Sequence, residues 1–215
     1  VALMVVIFTV ITFAAQVGSR VTEEKSSRVV ELVLSSVRPL DFLAGKLLGT
    51  FIIGFLSTAV LLLVGGVGLH LSGLADGIEL DWSVVPILLI AWALAMLFFG
   101  ALYAAAGAMV QRTEDLQSTQ APILFLVFAT MYVPMFGWMH LDATWMQVMT
   151  WLPPVSMLVA PMQVAGGNLS WLGLAASYLL MALVTALIIV IVGRIYRRAI
   201  LNNGRKMTWR QALGK

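Results

Sequence analysis

The chain has 215 residues, of which 61% are hydrophobic and 11% charged, with a formal charge of +3 and a mean hydropathy of +0.99. A soluble domain of this size would lack the polar surface to cover its core, so the bilayer must act as solvent for most of the chain. The absence of Cys excludes disulfides, thiolate catalysis and Cys-based zinc sites. The basic residues flank apolar runs, which favours anionic lipid over nucleic acid as their counterpart.

Five apolar runs, 1–17, 47–69, 83–110, 121–138 and 171–193, each approach or exceed the ~20 residues that cross a bilayer as helix. The first has no basic residue before it and no small-x-small cleavage pattern, which weighs against a signal peptide. A chain that opens inside a hydrophobic helix is expected to be a fragment of a longer product. All 13 Lys and Arg residues fall beside the first run's end, in the loop near Arg112, or after the last run. The positive-inside rule therefore orients the chain with its start outside, its end cytoplasmic, and 194–215 as a basic cytoplasmic tail.

After the first run, Thr22 followed by Glu23 and Glu24 reads as an N-cap with acids in the first turn. Glu24 and Arg28 stand at the favourable i,i+4 spacing. Val29, Leu32, Val33 and Val37 recur at helical spacing, with Lys25, Arg28, Glu31 and Ser35 turned to solvent. An amphipathic helix over 22–37 is the expectation. Residues 36–39 interrupt it, and Asp41 is placed to cap a second helix entering the membrane through Phe42, Leu43 and Leu47. Mixed acids and bases suit a protein surface better than anionic lipid, although an interfacial helix in the headgroups stays open.

Residues 111–115 form a short polar turn in which Arg112 can pair with Glu114 or Asp115, or cap the preceding carbonyls. The five runs carry no Asp, Glu, Lys or Arg in their cores, so no carboxylate relay is expected. Ser57, Thr58, Thr130, Ser177, Tyr178 and Thr185 are expected as interhelical hydrogen bonders. Gly45 and Gly49, and Gly100, Ala104 and Ala108, are spaced for close helix approach within one subunit or at a dimer seam. Met96, Phe99, Met131 and Met135 offer a soft apolar surface for cargo, or ordinary core and lipid contacts. Between 139 and 168, Asp142 can cap a short helix holding Trp145, Met146, Val148 and Met149, with Pro153 and Pro154 as its stop. Residues 156–164 are too few to span, which points to a pair of shallow or re-entrant helices. His70 and His140 stand apart and read as interface residues; no metal site is expected.

Residues 23–39, EEKSSRVVELVLSSVRP, with Gly45 and Lys46 following, resemble the cytoplasmic coupling segment of type-2 ABC exporter permeases, particularly the sodium-extrusion subgroup. Residues 111–117 resemble that subgroup's second inner loop, and 194–201 with Gly204 and Trp209 its cytoplasmic tail. The resemblance implies an all-α polytopic permease of six spans, of which 1–215 would hold the second to sixth. It would lack the first span and an external domain. It also implies pairing with a second copy or a similar permease, and two ATPase subunits on the cytoplasmic side. Gly45-Lys46 is followed by Leu47 and lacks the phosphate-loop pattern, so ATP and Mg are expected on the partner ATPase and none on this chain. On this resemblance Glu23, Glu24, Arg28, Glu31, Arg112 and Glu114 would meet the ATPase, while Val29, Leu32 and Val33 hold the coupling helix against the permease. Trp145, Pro153, Ser156, Pro161 and Gln163 would form the outer gate, with Gln163 where relatives frequently carry Arg. The uncharged spans fit a small or amphipathic substrate at least as well as sodium. Sodium efflux and a structural membrane protein without transport are the alternatives; an enzyme would need a catalytic cluster that the sequence does not show.

Overall fold

The computed structural model describes residues 2–27, 36–72, 82–200 and 207–212, and these are all helix, turn or coil without strand. Helices follow as α1 (Ala2–Ser26), α2 (Pro39–Leu71), α3 (Val84–Met109), α4 (Thr113–Gly137), α5 (Thr144–Met149), α6 (Ser156–Ala165), α7 (Trp171–Ile200) and the single turn α8 (Trp209–Ala212). Among the described residues, α1, α2, α3, α4 and α7 are long and apolar enough to cross a bilayer. Residues 28–35, which carry Arg28, Val29, Glu31, Leu32 and Val33, lie outside the described residues.

At their basic ends α1, α2, α4 and α7 outlast their apolar runs. The reason is visible in α1, where the buried stripe Val10, Ala14, Val17 and Val21 continues at three- and four-residue steps to Lys25. Tertiary burial of that face keeps the helix going through a polar stretch that propensity alone would end. Thr22 is therefore not an N-cap: it lies within α1, and its hydroxyl donates to Gly18 O at 3.1 Å and Gly107 O at 3.1 Å. Asp41 is likewise not the cap of α2, which opens with Arg38 as its N-cap and Pro39 just inside. Proline's fixed φ and missing N–H suit that first position. With 33 residues at ~1.5 Å each, α2 exceeds the ~30 Å hydrocarbon thickness, so part of it must project or tilt.

The central element is α3, packed between α1 and α7, with α2 and α4 toward the outside. Trp92 is fully buried at the middle of α3, and its indole N–H donates to Thr9 Oγ1 on α1 at 3.0 Å. A buried indole needs such a partner. Phe13, Phe51 and Phe55 surround it with ring centroids at 6.5, 5.5 and 6.0 Å. Gly54 leaves room for the ring, since a Cβ there would come 2.7 Å from it. Nearer the basic end α1 and α3 meet backbone to backbone: a methyl on Gly107 would strike Gly18 O, and one on Gly18 would lie 2.8 Å from Tyr103 O. By contrast, α2 presents Ile52, Ile53, Leu56, Val60 and Val64 outward. In lipid, that apolar face is already solvated.

Ser57, Thr58 and Thr130 depart from expectation, because each hydroxyl bonds a carbonyl four residues back in its own helix rather than crossing to another. An adjacent carbonyl in the same turn is the nearest acceptor a short side chain can reach. Ser177 does cross, donating to Thr150 O at 2.7 Å. Tyr178 OH lies 3.4 Å from Met157 O, the carbonyl for which Pro161 has no N–H, and 3.4 Å from Ile87 O. At the end opposite the basic one, the expected short helices are present as α5 and α6. Asp142 does not cap α5, however: Ala143 is the N-cap with no side-chain bond, and Asp142 offers only its carbonyl, to Gln147 Nε2 at 3.3 Å.

Candidate functional site

The basic end gathers several long-range polar contacts among the described residues. Gly18, Thr22 and Lys25 occupy one face of α1 at i, i+4 and i+7, and this face lies against the last turn of α3. Lys25 is 6% exposed, and its ammonium donates to Ala108 O of α3 at 2.6 Å and Ala199 O of α7 at 2.7 Å. The expectation that Lys25 faces solvent is corrected by this geometry. Lysine commonly extends toward water; here the carbonyl ends of two helices, each carrying roughly half a negative charge, draw it inward.

The neighbouring Glu24 forms an ion pair with Lys46 of α2, and the Lys46 ammonium also lies 5.0 Å from the Phe42 ring centroid. This pair joins the chain just before residues 28–35 to the chain just after them. Glu24 thus has a partner across the protein in Lys46, while its expected i,i+4 partner Arg28 lies outside the described residues. Tyr196 is fully buried in α7. The tail closes the same end: Met207 N–H donates to Met109 O at 3.1 Å, and Trp209 Nε1 donates to Thr119 O at 3.1 Å.

Of the residues singled out from the sequence, Glu23 is exposed on the last turns of α1, Arg112 is the exposed N-cap of α4, and Glu114 is exposed in that helix's first turn. The three residues between α3 and α4 begin directly after the turn that binds Lys25, which brings Arg112 and Glu114 to the same end as Glu23 and Glu24. Lys25, Lys46 and Trp209 as bonding partners were missed. The available signal for Lys25 was the stripe of α1, which reaches it in register; the others depend on pairings between distant segments.

At the opposite end, Gln163 is buried and spans two connections, donating to Leu141 O at 2.9 Å and accepting from Asn168 Nδ2 at 3.2 Å. Ser156 and Pro161 are buried in α6, with Ser156 Oγ lacking a hydrogen-bond partner among the described residues; Pro153 is half-buried and Trp145 exposed. The four apolar candidates separate. Met96 and Phe99 are sealed in the core, whereas Met131 and Met135 line a groove of about 250 Å³ with Leu3, Met4, Trp138 and Met162. Among the described residues, none with an ionisable side chain lines that groove.

Comparison with known proteins agrees with this architecture. The family model described as ABC-2 family transporter protein matches residues 1–194. The chain is 28% identical over 218 residues to the uncharacterized protein YhaP of Bacillus subtilis (strain 168), in an alignment covering 97% of this chain and 52% of that protein. The chain thus spans about half the length of the curated relative it matches. No solved structure matches it. Five apolar helices around a polar, carbonyl-rich basic end, with the family match over residues 1–194, make this chain a multi-pass membrane protein of the ABC-2 transporter family.

Proposed function

We propose that this chain is the membrane-spanning part of an ATP-driven exporter's permease, with its basic end in the cytoplasm. It binds separate ATPase subunits through the segment joining α1 to α2, and it works paired with a second permease. Its cargo is a small or amphipathic compound carried outward. Family membership supports the transport role, and ATP and Mg are proposed to bind the partner, these 215 residues carrying no phosphate-loop pattern.

The observation that carries the reading is the anchoring of both flanks of residues 28–35. Glu24 before the segment pairs with Lys46 after it, and Lys25 is tied to α3 and α7. A force applied to this segment has a short route into four spans, α1, α2, α3 and α7. The uncharged groove beside Met131 and Met135 favours apolar cargo over sodium.

The test uses the full-length protein co-expressed with its ATPase. Glu23→Arg combined with Glu31→Arg places repulsion on the proposed contact while leaving the Glu24–Lys46 pair intact. The expected result is a folded permease that no longer retains the ATPase and no longer transports. Normal subunit stoichiometry with normal transport would reject the docking surface. In the native complex, amphipathic compounds should stimulate hydrolysis more than sodium does; sodium-dependent efflux indifferent to such compounds would reject the cargo class.

A further inference from the structure

Lys25 is a buried cation with two carbonyl partners on two other helices, both in last turns, and it stands three residues before the segment proposed to dock the ATPase. Thr22, one turn earlier on the same face, bonds Gly107 O, next to the carbonyl that Lys25 holds. Hydroxyl and ammonium together fix the end of α1 to consecutive carbonyls of α3, and the ammonium alone extends the tie to α7. Two helix ends, each with partial negative charge on its carbonyls, face the one ammonium. A neutral apolar side chain of similar length would fill the space and leave both carbonyls without this donor.

We infer that Lys25 is the positioning residue that makes the basic ends of α1, α3 and α7 move as one body when the linker is displaced. This inference rests on the proposed function. An ammonium donates along several directions from one point, so it can hold two carbonyls of different helices during a joint displacement, whereas direct backbone packing at Gly18 and Gly107 involves α1 and α3 only. Residues whose contacts lie in one helix cannot serve this purpose; the hydroxyls of Ser57, Thr58 and Thr130 are of that kind.

The experiment uses the full-length permease with its ATPase in lipid vesicles, with spin labels at Ser27→Cys and Arg197→Cys, both exposed positions near the ends of α1 and α7. Distances are measured without nucleotide and after trapping with ATP, Mg and vanadate. With Lys25 present, the 27–197 distance should stay the same in the two states. Lys25→Met should retain the bound ATPase but show a trapped-state displacement or splitting of more than ~2 Å, the scale of helix shifts in switching proteins. Transport per ATP should fall about tenfold or more, within the usual range of coupling between sites. Lys25→Arg, which keeps the charge and several donors, should restore the fixed distance and most of the transport. A merely structural lysine would alter stability in both states alike and would not create a nucleotide-dependent distance.

An unchanged distance and full transport in Lys25→Met would overturn the inference alone, as would a native 27–197 distance that changes on trapping. If Lys25→Met does not accumulate as a folded complex, Lys25→Gln carries the same comparison, because its shorter neutral amide cannot reproduce the charged two-helix tie. A native protein that neither retains an ATPase nor transports overturns the proposed function, and this inference with it.

Discussion

A methyl group on Gly107 has no place to go, because the carbonyl of Gly18 already occupies it, whereas one on Gly45 would meet none of the described residues within 4 Å. Both glycines look alike in the sequence, and the four-residue spacing of Gly45 and Gly49 marks a surface that no described residue of the subunit covers. Spacing identifies a surface along which a helix can approach closely; which helix arrives there depends on the whole bundle. Gly107→Ala should therefore destabilise the protein by ~1–3 kcal/mol through overpacking, while Gly45→Ala should stay within ~0.5 kcal/mol. Parallel denaturation curves of the purified variants in detergent check the contrast, and equal losses would contradict the close α1–α3 crossing. Gln163 teaches a related lesson at the other end. The family resemblance implies a place in an outer gate for it, and its amide joins the connections on either side of α6, at Leu141 and Asn168.

At the scale of elements, helix existence was legible and helix ends were not. Apolar runs located every span, but the ends were misplaced wherever a helix continued with one buried face and one polar face. In α1 the stripe through Val17 and Val21 to Lys25 was present in the sequence, yet Thr22, Glu23 and Glu24 imitate a helix start. Burial of the stripe against α3 outweighs that local signal. The structure places 22–26 in an extension of α1, whose last turns are braced to α2 by Glu24 and Lys46, while residues 28–35 of the expected helix lie outside the described residues. The Glu24 side chain is 33% exposed, so solvent screening limits the pair's contribution, and a double-mutant cycle of Glu24→Gln and Lys46→Met should give a coupling of ~0.2–1 kcal/mol. Melting of the four proteins at low and high salt measures it; a coupling of zero at both would show that the brace holds no energy.

For the whole molecule, the one-sided distribution of basic residues makes a prediction independent of any packing detail. Single cysteines at Ser72 and Asn168 should react with an impermeant reagent added to sealed cells, and one at Thr208 should react only after permeabilisation. Labelling of Thr208 from outside would reverse the orientation and remove cytoplasmic docking from consideration. The amino-acid sequence by itself determined that the chain lives in a bilayer, that it is helical, how many spans it has and which ends are basic. Each of these follows from transfer of side chains into lipid, a property summed over a local window. The tertiary structure decided that α3 is the centre, that Gly18 meets Gly107, that Lys25 turns inward and that the flanks of the linker are joined. These depend on which backbone carbonyls and side chains arrive together from segments as many as 174 residues apart, and inside lipid, where apolar surface attracts no helix over another, packing shape and buried polar partners make that choice.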